Sequence, residues 1–224
     1  MAWPTDLELY DTIDSWFSPC ATINKKKTLC YVVSAGAYIA YGGDQICCLL
    51  HLAIPDADIN SAFEILVFEG YRPSDFAGMI LVREGNEFDK IMLATDSWWH
   101  LDSRVRGSVV EYNDARMVST WAYLTALVEI VATSLLTIGT WPSWFHWQLG
   151  QWTDLVNANY GQLEAAPIMP CDKFFIRHYR RIRSLKNGVK LAQLWKKLRE
   201  GDITVEHAEE QAPKPRQDWR YRMK

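Results

Sequence analysis

Motifs that announce a mechanism are missing from this sequence. There is no Gly-x-x-x-x-Gly-Lys-Ser/Thr loop to cradle phosphates, no Gly-x-Gly-x-x-Gly after a strand, no His-Glu-x-x-His, no Gly-x-Ser-x-Gly and no Cys/His cluster at ligand spacing. Those absences argue against the familiar nucleotide-binding, zinc-dependent and serine-hydrolase chemistries, and no cofactor or metal is expected. Cysteine is scarce too. Cys20, Cys30, Cys47, Cys48 and Cys171 are odd in number and form no Cys-x-x-Cys pair, which speaks against a disulfide framework. The N-terminus, MAWPTDLELYD, lacks a basic segment followed by an apolar one. It is not read as a secretory signal, and the expectation is an intracellular, cytoplasmic protein.

What is present is apolar and aromatic. Across 224 residues, 49% are hydrophobic and 13% aromatic, enough for a sizeable core. The largest uncharged stretch runs over residues 112–152. Met117, Trp121, Leu124, Val128, Val131, Leu135 and Ile138 fall at helical spacing, so a helix is expected from Asn113 or Asp114 to Gly139. Length alone would let residues 120–138 cross a bilayer, with Trp141, Trp144, Trp147 and Trp152 as an interfacial belt. Eight Leu, Ile and Val residues at about −0.3 to −0.6 kcal/mol each are offset by Glu129 at about +2.5 to +3.5, leaving insertion near neutral. The stretch is therefore read as a core helix, with membrane association through residues 120–152 as an alternative. A second helix is expected after Pro142 and Ser143, with Trp144, Trp147 and Leu155 turned toward the first.

Charge is unevenly spread. Residues 1–170 hold 9 Lys and Arg against 20 Asp and Glu, whereas residues 171–201 hold 10 against 2, although the whole chain is only −3. A chain so polarised pairs its own halves or offers the basic part to an anionic partner.

Along the N-terminal half, residues 5–17 read as a helix with Thr5 and Glu8 in a capping box, ended by Ser18-Pro19. Residues 21–33 read as a hairpin over Asn24 to Lys27, with the lysines in solvent. Residues 37–41 and 45–54 read as strands about Gly42-Gly43, the second central and covered on both faces. A helix over 59–69 ends at Gly70, and residues 78–83 and 88–95 form a hairpin over Glu84-Gly85-Asn86. Residues 96–112 are less regular. Asp96, His100 and Asp102 beside Trp98-Trp99 raise an acid–base site, against the plainer reading of a loop whose tryptophans pack inward. His51 is a further candidate, against a core histidine.

The expected order over residues 1–95, helix, three strands, helix, strand, is similar to the core of the N-acetyltransferase family. That family carries an Arg/Gln-x-x-Gly-x-Gly/Ala pyrophosphate loop after the fourth strand. Residues 54–60 stand there instead, with no Gly, no Arg and two carboxylates. The likeness is one of element order and implies a form without acetyl-CoA binding.

After a Gly- and Pro-containing connection at 161–170, two basic amphipathic helices are expected, 172–186 closed by Asn187-Gly188 and then 189–199. Phe175, Tyr179, Ile182, Leu185, Leu191, Leu194, Trp195 and Leu198 are expected to face inward. Lys173, Arg177, Arg180, Arg181, Lys190, Lys196, Lys197 and Arg199 face outward as the candidate binding residues. The plainer reading pairs them with acidic residues of the same chain. From Ala212 the tail is expected to be flexible, its last stretch RQDWRYRMK having the composition of a docking peptide.

The fold class read from these patterns is α+β: a largely antiparallel N-terminal sheet with helices (1–111), a Trp-rich helical layer with two basic helices (112–201) and a tail (202–224). The leading functional expectation is a non-enzymatic interaction protein, an assembly subunit or viral-type accessory factor. It would dock an anionic macromolecule, nucleic acid or acidic protein, or a second copy of itself, through residues 173–199. The alternative is an enzyme of unrecognised pattern with His51, His100 or Asp96 in its site.

Overall fold

The computed structural model describes residues 16–44, 49–74, 77–159, 163–180, 182 and 184–214. The helix expected over 5–17 lies almost wholly outside them, as do Cys47, Cys48, Arg181 and the last ten residues. The chain divides into two compact units, Met1–Tyr123 and Leu124–Lys224.

The first unit is an α+β layer built on a mixed seven-stranded sheet in the order β3-β4-β5-β2-β1-β7-β6. Its elements are α1 (Ser18–Lys25), β1 (Tyr31–Val33), α2 (Ser34–Ala40), β2 (Leu50–Ile54), α3 (Ile59–Phe68), β3 (Tyr71–Ser74), β4 (Ala77–Arg83), β5 (Asn86–Thr95), β6 (Val109–Tyr112) and β7 (Ala115–Val118). Among the described residues, β2 with β5 and β1 with β7 are the parallel pairs. The other neighbouring pairs among the described residues are antiparallel, and of these the β4–β5 hairpin is the one that turn chemistry leads one to expect. All five residues of β2 are buried, as befits a central strand flanked by β1 and β5.

Side chains alternate across a sheet, so register assigns the faces. Leu52 pairs with Val32 and with Leu93, which puts these three on one side. The helices lie there too. A Cβ on Gly36 of α2 would stand 2.7 Å from Val32 Cγ1 and 3.3 Å from Leu50 Cδ1, so that glycine is what lets α2 seat against the sheet. Ile59 and Phe63 of α3 line a shallow cleft with Leu81 and Leu93.

Several expectations shift by one element. Residues 18–25 form α1 in place of the first arm of a hairpin, and Ser18-Pro19 opens that helix, since Pro fits its first turn. Asn24 does the joining. Its side chain donates to the Cys30 carbonyl at 2.8 Å and accepts from the Cys30 N–H at 3.0 Å, turning the chain directly into β1. Residues 34–40 are helical, and Gly42 at φ +89 closes α2 instead of making a hairpin turn. Helix, strand, helix, strand is therefore the observed order, and the element order of the acetyltransferase core is not reproduced.

The second unit is helical: α4 (Thr120–Thr137), whose first turn belongs to the first unit, α5 (Ser143–Asn159), α6 (Pro170–Tyr179), α7 (Leu185–Glu200) and α8 (Val205–Gln211). Residues 113–118, expected to begin the long helix, make instead the turn of the β6–β7 hairpin and β7, with Asn113 at φ +48 in the turn. α4 buries Leu124, Ala126, Leu127, Val128, Val131, Ala132 and Leu135. On α5 the inward residues are Gln148, Leu149, Trp152, Leu155 and Val156, while Trp144 and Trp147 are 38% and 47% exposed, contrary to the expected orientation. Gly188 lies inside α7 and does not end a helix. A Cβ there would sit 2.5 Å from the Trp141 ring, so its function is close approach. α7 starts instead at Ser184, whose hydroxyl accepts from the Asn187 N–H at 3.3 Å, and ends at Gly201 with φ +80.

Candidate functional site

β2 and β5 run parallel and end level, Ile54 opposite Thr95. Beyond their carboxyl ends the chain places Asp56 on one side and Asp96 on the other. The Asp96 N–H donates to the Ile54 carbonyl at 2.8 Å, which fixes the start of the 96–103 loop against the end of β2. The buried Asp96 carboxylate then accepts the Tyr31 hydroxyl, from the first residue of β1, and the Ser103 hydroxyl and N–H at 2.6 and 3.3 Å. Burial, and next the Asp96 carboxylate, push the Tyr31 phenol far above its ordinary range, so it remains a donor at any working pH.

Asp56 is exposed and differently used. It accepts the Ser97 hydroxyl at 2.5 Å and the Ser97 N–H at 3.2 Å, and that hydroxyl is 3.0 Å from Thr95 Oγ1. The Ser97 hydroxyl is the main cause that holds the Asp56 carboxyl below its usual range. Asp102 is held below its own range by Arg104, which bonds it at 2.9 and 3.1 Å. The Ser97 hydroxyl, the Asp56 carboxylate and the half-exposed Trp98, whose N–H reaches Thr95 Oγ1 at 3.3 Å, therefore lie together on a solvent-facing rim.

The loop also delivers Trp99, fully buried, edge-on to His51 at 5.6 Å and tilted against Tyr123 at 6.2 Å. Trp98 meets Trp99 at 4.6 Å, nearly perpendicular. Burial lowers the pKa of His51 to about 4, so the ring is neutral at physiological pH. His100, at φ +54, is on the exposed side of the turn. The oxygens of Asp96 thus bind a phenol and a serine, where sequence spacing had paired the carboxylate with His100. Tyr31, Asp56 and Ser97 were missed, because each comes from a different element and none lies in a local pattern.

The basic residues singled out from the sequence lie in the second unit, and four of the eight meet carboxylates of that same unit. Arg177 pairs with Glu164 at 3.1 Å and with Glu209 at 2.8 Å. Arg180 pairs with Asp154 and donates to the Gly150 carbonyl at 2.8 Å. Arg199 pairs with Glu129 at 3.2 Å and lies over the Trp195 ring, and Lys196 reaches Glu200 at 3.7 Å. Lys173 donates to the Glu164 carbonyl at 2.7 Å. Lys190 and Lys197 are exposed, and Arg181 is outside the described residues.

No family model matches the chain, and no curated protein matches it in sequence. Among solved structures, it is similar to ANT(2'')-Ia in complex with adenylyl-2''-tobramycin, at 12% identity and a TM-score of 0.43, over 67% of this chain and 92% of that one. It is also similar to the solution structure of ANT(2'')-Ia, described as an antibiotic-resistance factor with substrate-regulated conformation dynamics. There the identity is 13% and the TM-score 0.45, over 90% of this chain and 98% of the other. At such identity the likeness is one of fold.

The leading expectation, a non-enzymatic, nucleic-acid-binding or viral-type accessory factor, is set aside. The physical reason is on the basic helices themselves. Arg177, Arg180 and Arg199 already have carboxylate partners within their own unit, which an anionic macromolecule would have to displace. α4 is long and apolar enough to cross a membrane, yet it turns most of its apolar residues inward, and its one acidic residue, Glu129, is ion-paired with Arg199.

Proposed function

We propose that the chain is an enzyme acting on a small polar substrate outside the carboxyl ends of β2 and β5. One observation supports this above the others: Asp56 and Asp96, from segments 40 residues apart in sequence, converge where two adjacent parallel strands end. That is the position at which open sheets with parallel strands collect ligands.

The two carboxylates divide the work. Asp96 is a positioning residue, tying β1, β2, β5 and the 96–103 loop into one frame. Asp56, exposed and ionised through the neutral range, is the group able to accept a proton from a substrate hydroxyl or to hold a substrate ammonium. Trp98 beside it offers an aromatic face to an apolar or cationic part of the same molecule.

The test is a thermal-shift and turnover screen of the intact chain with amino sugars and nucleotides, beginning with adenosine triphosphate, magnesium and tobramycin. Asp56→Asn should abolish turnover, or the ligand-induced shift, with unfolding of the free protein unchanged. Where a substrate is found, its turnover should decline at acid pH, only as the solution passes below the ordinary carboxylate range, because Asp56 is held under it. Full activity in Asp56→Asn would sink the assignment.

A further inference from the structure

The cleft between α3 and the sheet has one wall from Ile59, Asn60 and Phe63 and the other from Leu81, Leu93 and Thr95, around about 200 Å³ of open space. Leu81 and Leu93 are buried and Ile59 and Phe63 half-buried, so it is walled mainly by apolar side chains, with Asn60 and Thr95 as polar edges. Thr95 belongs to the cleft and to the rim at once. Its Oγ1 lies 3.0 Å from the Ser97 hydroxyl and accepts the Trp98 N–H at 3.3 Å, and the Ser97 hydroxyl in turn donates to Asp56 at 2.5 Å. Two hydrogen bonds therefore join the cleft wall to the exposed carboxylate. The other wall makes the same join through the chain itself: Asp56 opens the short turn Asp56–Asp58, which leads straight into α3 at Ile59. Residues 55–69 carry Asp56, Asp58, Glu64 and Glu69 and no Lys or Arg, so the field here favours a cation and disfavours an anion.

We propose that this cleft is the subsite for the apolar group of an amine whose ammonium is held by Asp56. The proposal rests on the reading of the rim as a substrate site, and it narrows the substrate to primary amines that carry one compact apolar group. Size sets the upper limit. A cavity of about 150 Å³ lined by Leu, Ile and Phe admits benzene, so about 200 Å³ takes one six-membered ring and little more. Chemistry sets the orientation. A ring gains by leaving water for the Ile59, Phe63, Leu81 and Leu93 side chains, whereas the ammonium keeps most of its hydration beside the exposed Asp56. The reverse placement strips the cation of water among aliphatic and aromatic carbons, and an anion in place of the ammonium meets carboxylates.

The experiment titrates the intact protein with phenethylamine, ethylamine and phenethyl alcohol and reads binding by saturation-transfer NMR. Phenethylamine should bind about tenfold more tightly than ethylamine, which lacks the ring, and than the alcohol, which lacks the charge. Asn60→Trp, at an exposed position on the edge of the cleft, should fill its mouth and bring phenethylamine down to the level of ethylamine. Phe63→Ala should act in the same direction by removing part of a wall, and Asp56→Asn should bring phenethylamine down to the level of the alcohol. The wild-type series decides the matter even if a variant does not fold. Equal binding of phenethylamine and ethylamine, with both lost in Asp56→Asn, overturns the cleft assignment and leaves the rim standing. A ring preference that survives Asn60→Trp and Phe63→Ala does the same. Absence of amine binding, or amine binding indifferent to Asp56→Asn, overturns the proposal together with the reading of the rim.

Discussion

Two side chains carry stability predictions that follow from their surroundings alone. His51 is buried in mid-β2 and keeps no proton until about pH 4, whereas in the unfolded chain it takes one near 6.5. Above 6.5 neither state is protonated and His51 adds no pH dependence. Between 6.5 and 4 the unfolded state holds the extra proton, so stability falls as the solution is acidified, by roughly 3 kcal/mol across that window. His51→Gln should flatten this limb by about one proton, read as the slope of unfolding free energy against pH. Gly188 gives a steric counterpart. Gly188→Ala places a methyl 2.5 Å from the Trp141 ring and should destabilise by about 1–3 kcal/mol, despite the higher helix propensity of alanine; denaturant titration measures it. Neither effect is visible in a sequence pattern, since His51 was one apolar-run position among several and Gly188 looked like a helix stop.

At the level of elements, periodicity and capping chemistry were legible where an element stands by itself. The helix ending at Gly70, the β4–β5 hairpin over Glu84-Gly85 and the helix opening at Ser143 lie where the sequence puts them, because their turns are local. Misreadings came where tertiary contact outvotes local pattern. Residues 37–41 look strand-like, yet they are coiled because Gly36 admits a helix against Val32 and Leu50. Met117 keeps helical spacing with Trp121, yet it belongs to β7 because β1 offers it an edge to pair with. The site was half legible for the same reason: Asp96 lies in a conspicuous stretch, whereas Tyr31, Asp56 and Ser97 acquire meaning only when strand ends are brought level. The true start of α7 permits a check. Ser184→Ala should cost about 0.5–2 kcal/mol and fray the first turn, seen as faster amide exchange at residues 185–188, whereas Asn187→Ala, no longer a boundary, should have a smaller effect.

For the whole molecule, the apolar stretch that could have meant a membrane is spent on the interior. The protein should remain in the supernatant after high-speed centrifugation without detergent, and Leu127→Arg, at a fully buried position of α4, should drive it to aggregate. Part of the basic charge is met inside the second unit, where Glu129, Asp154, Glu164 and Glu209, from elements other than those that carry the arginines, pair with Arg199, Arg180 and Arg177.

The placement of β1 has a consequence for biosynthesis. This three-residue strand lies inside the sheet, yet its parallel neighbour β7 is encoded far downstream. Every other strand, β6 included, has emerged before residues 115–118 leave the ribosome, and until then one edge of β1 stays bare, a template to which a neighbouring nascent chain can add. Late translation, more than any intrinsic weakness of the finished fold, is then the moment when this chain most needs a chaperone.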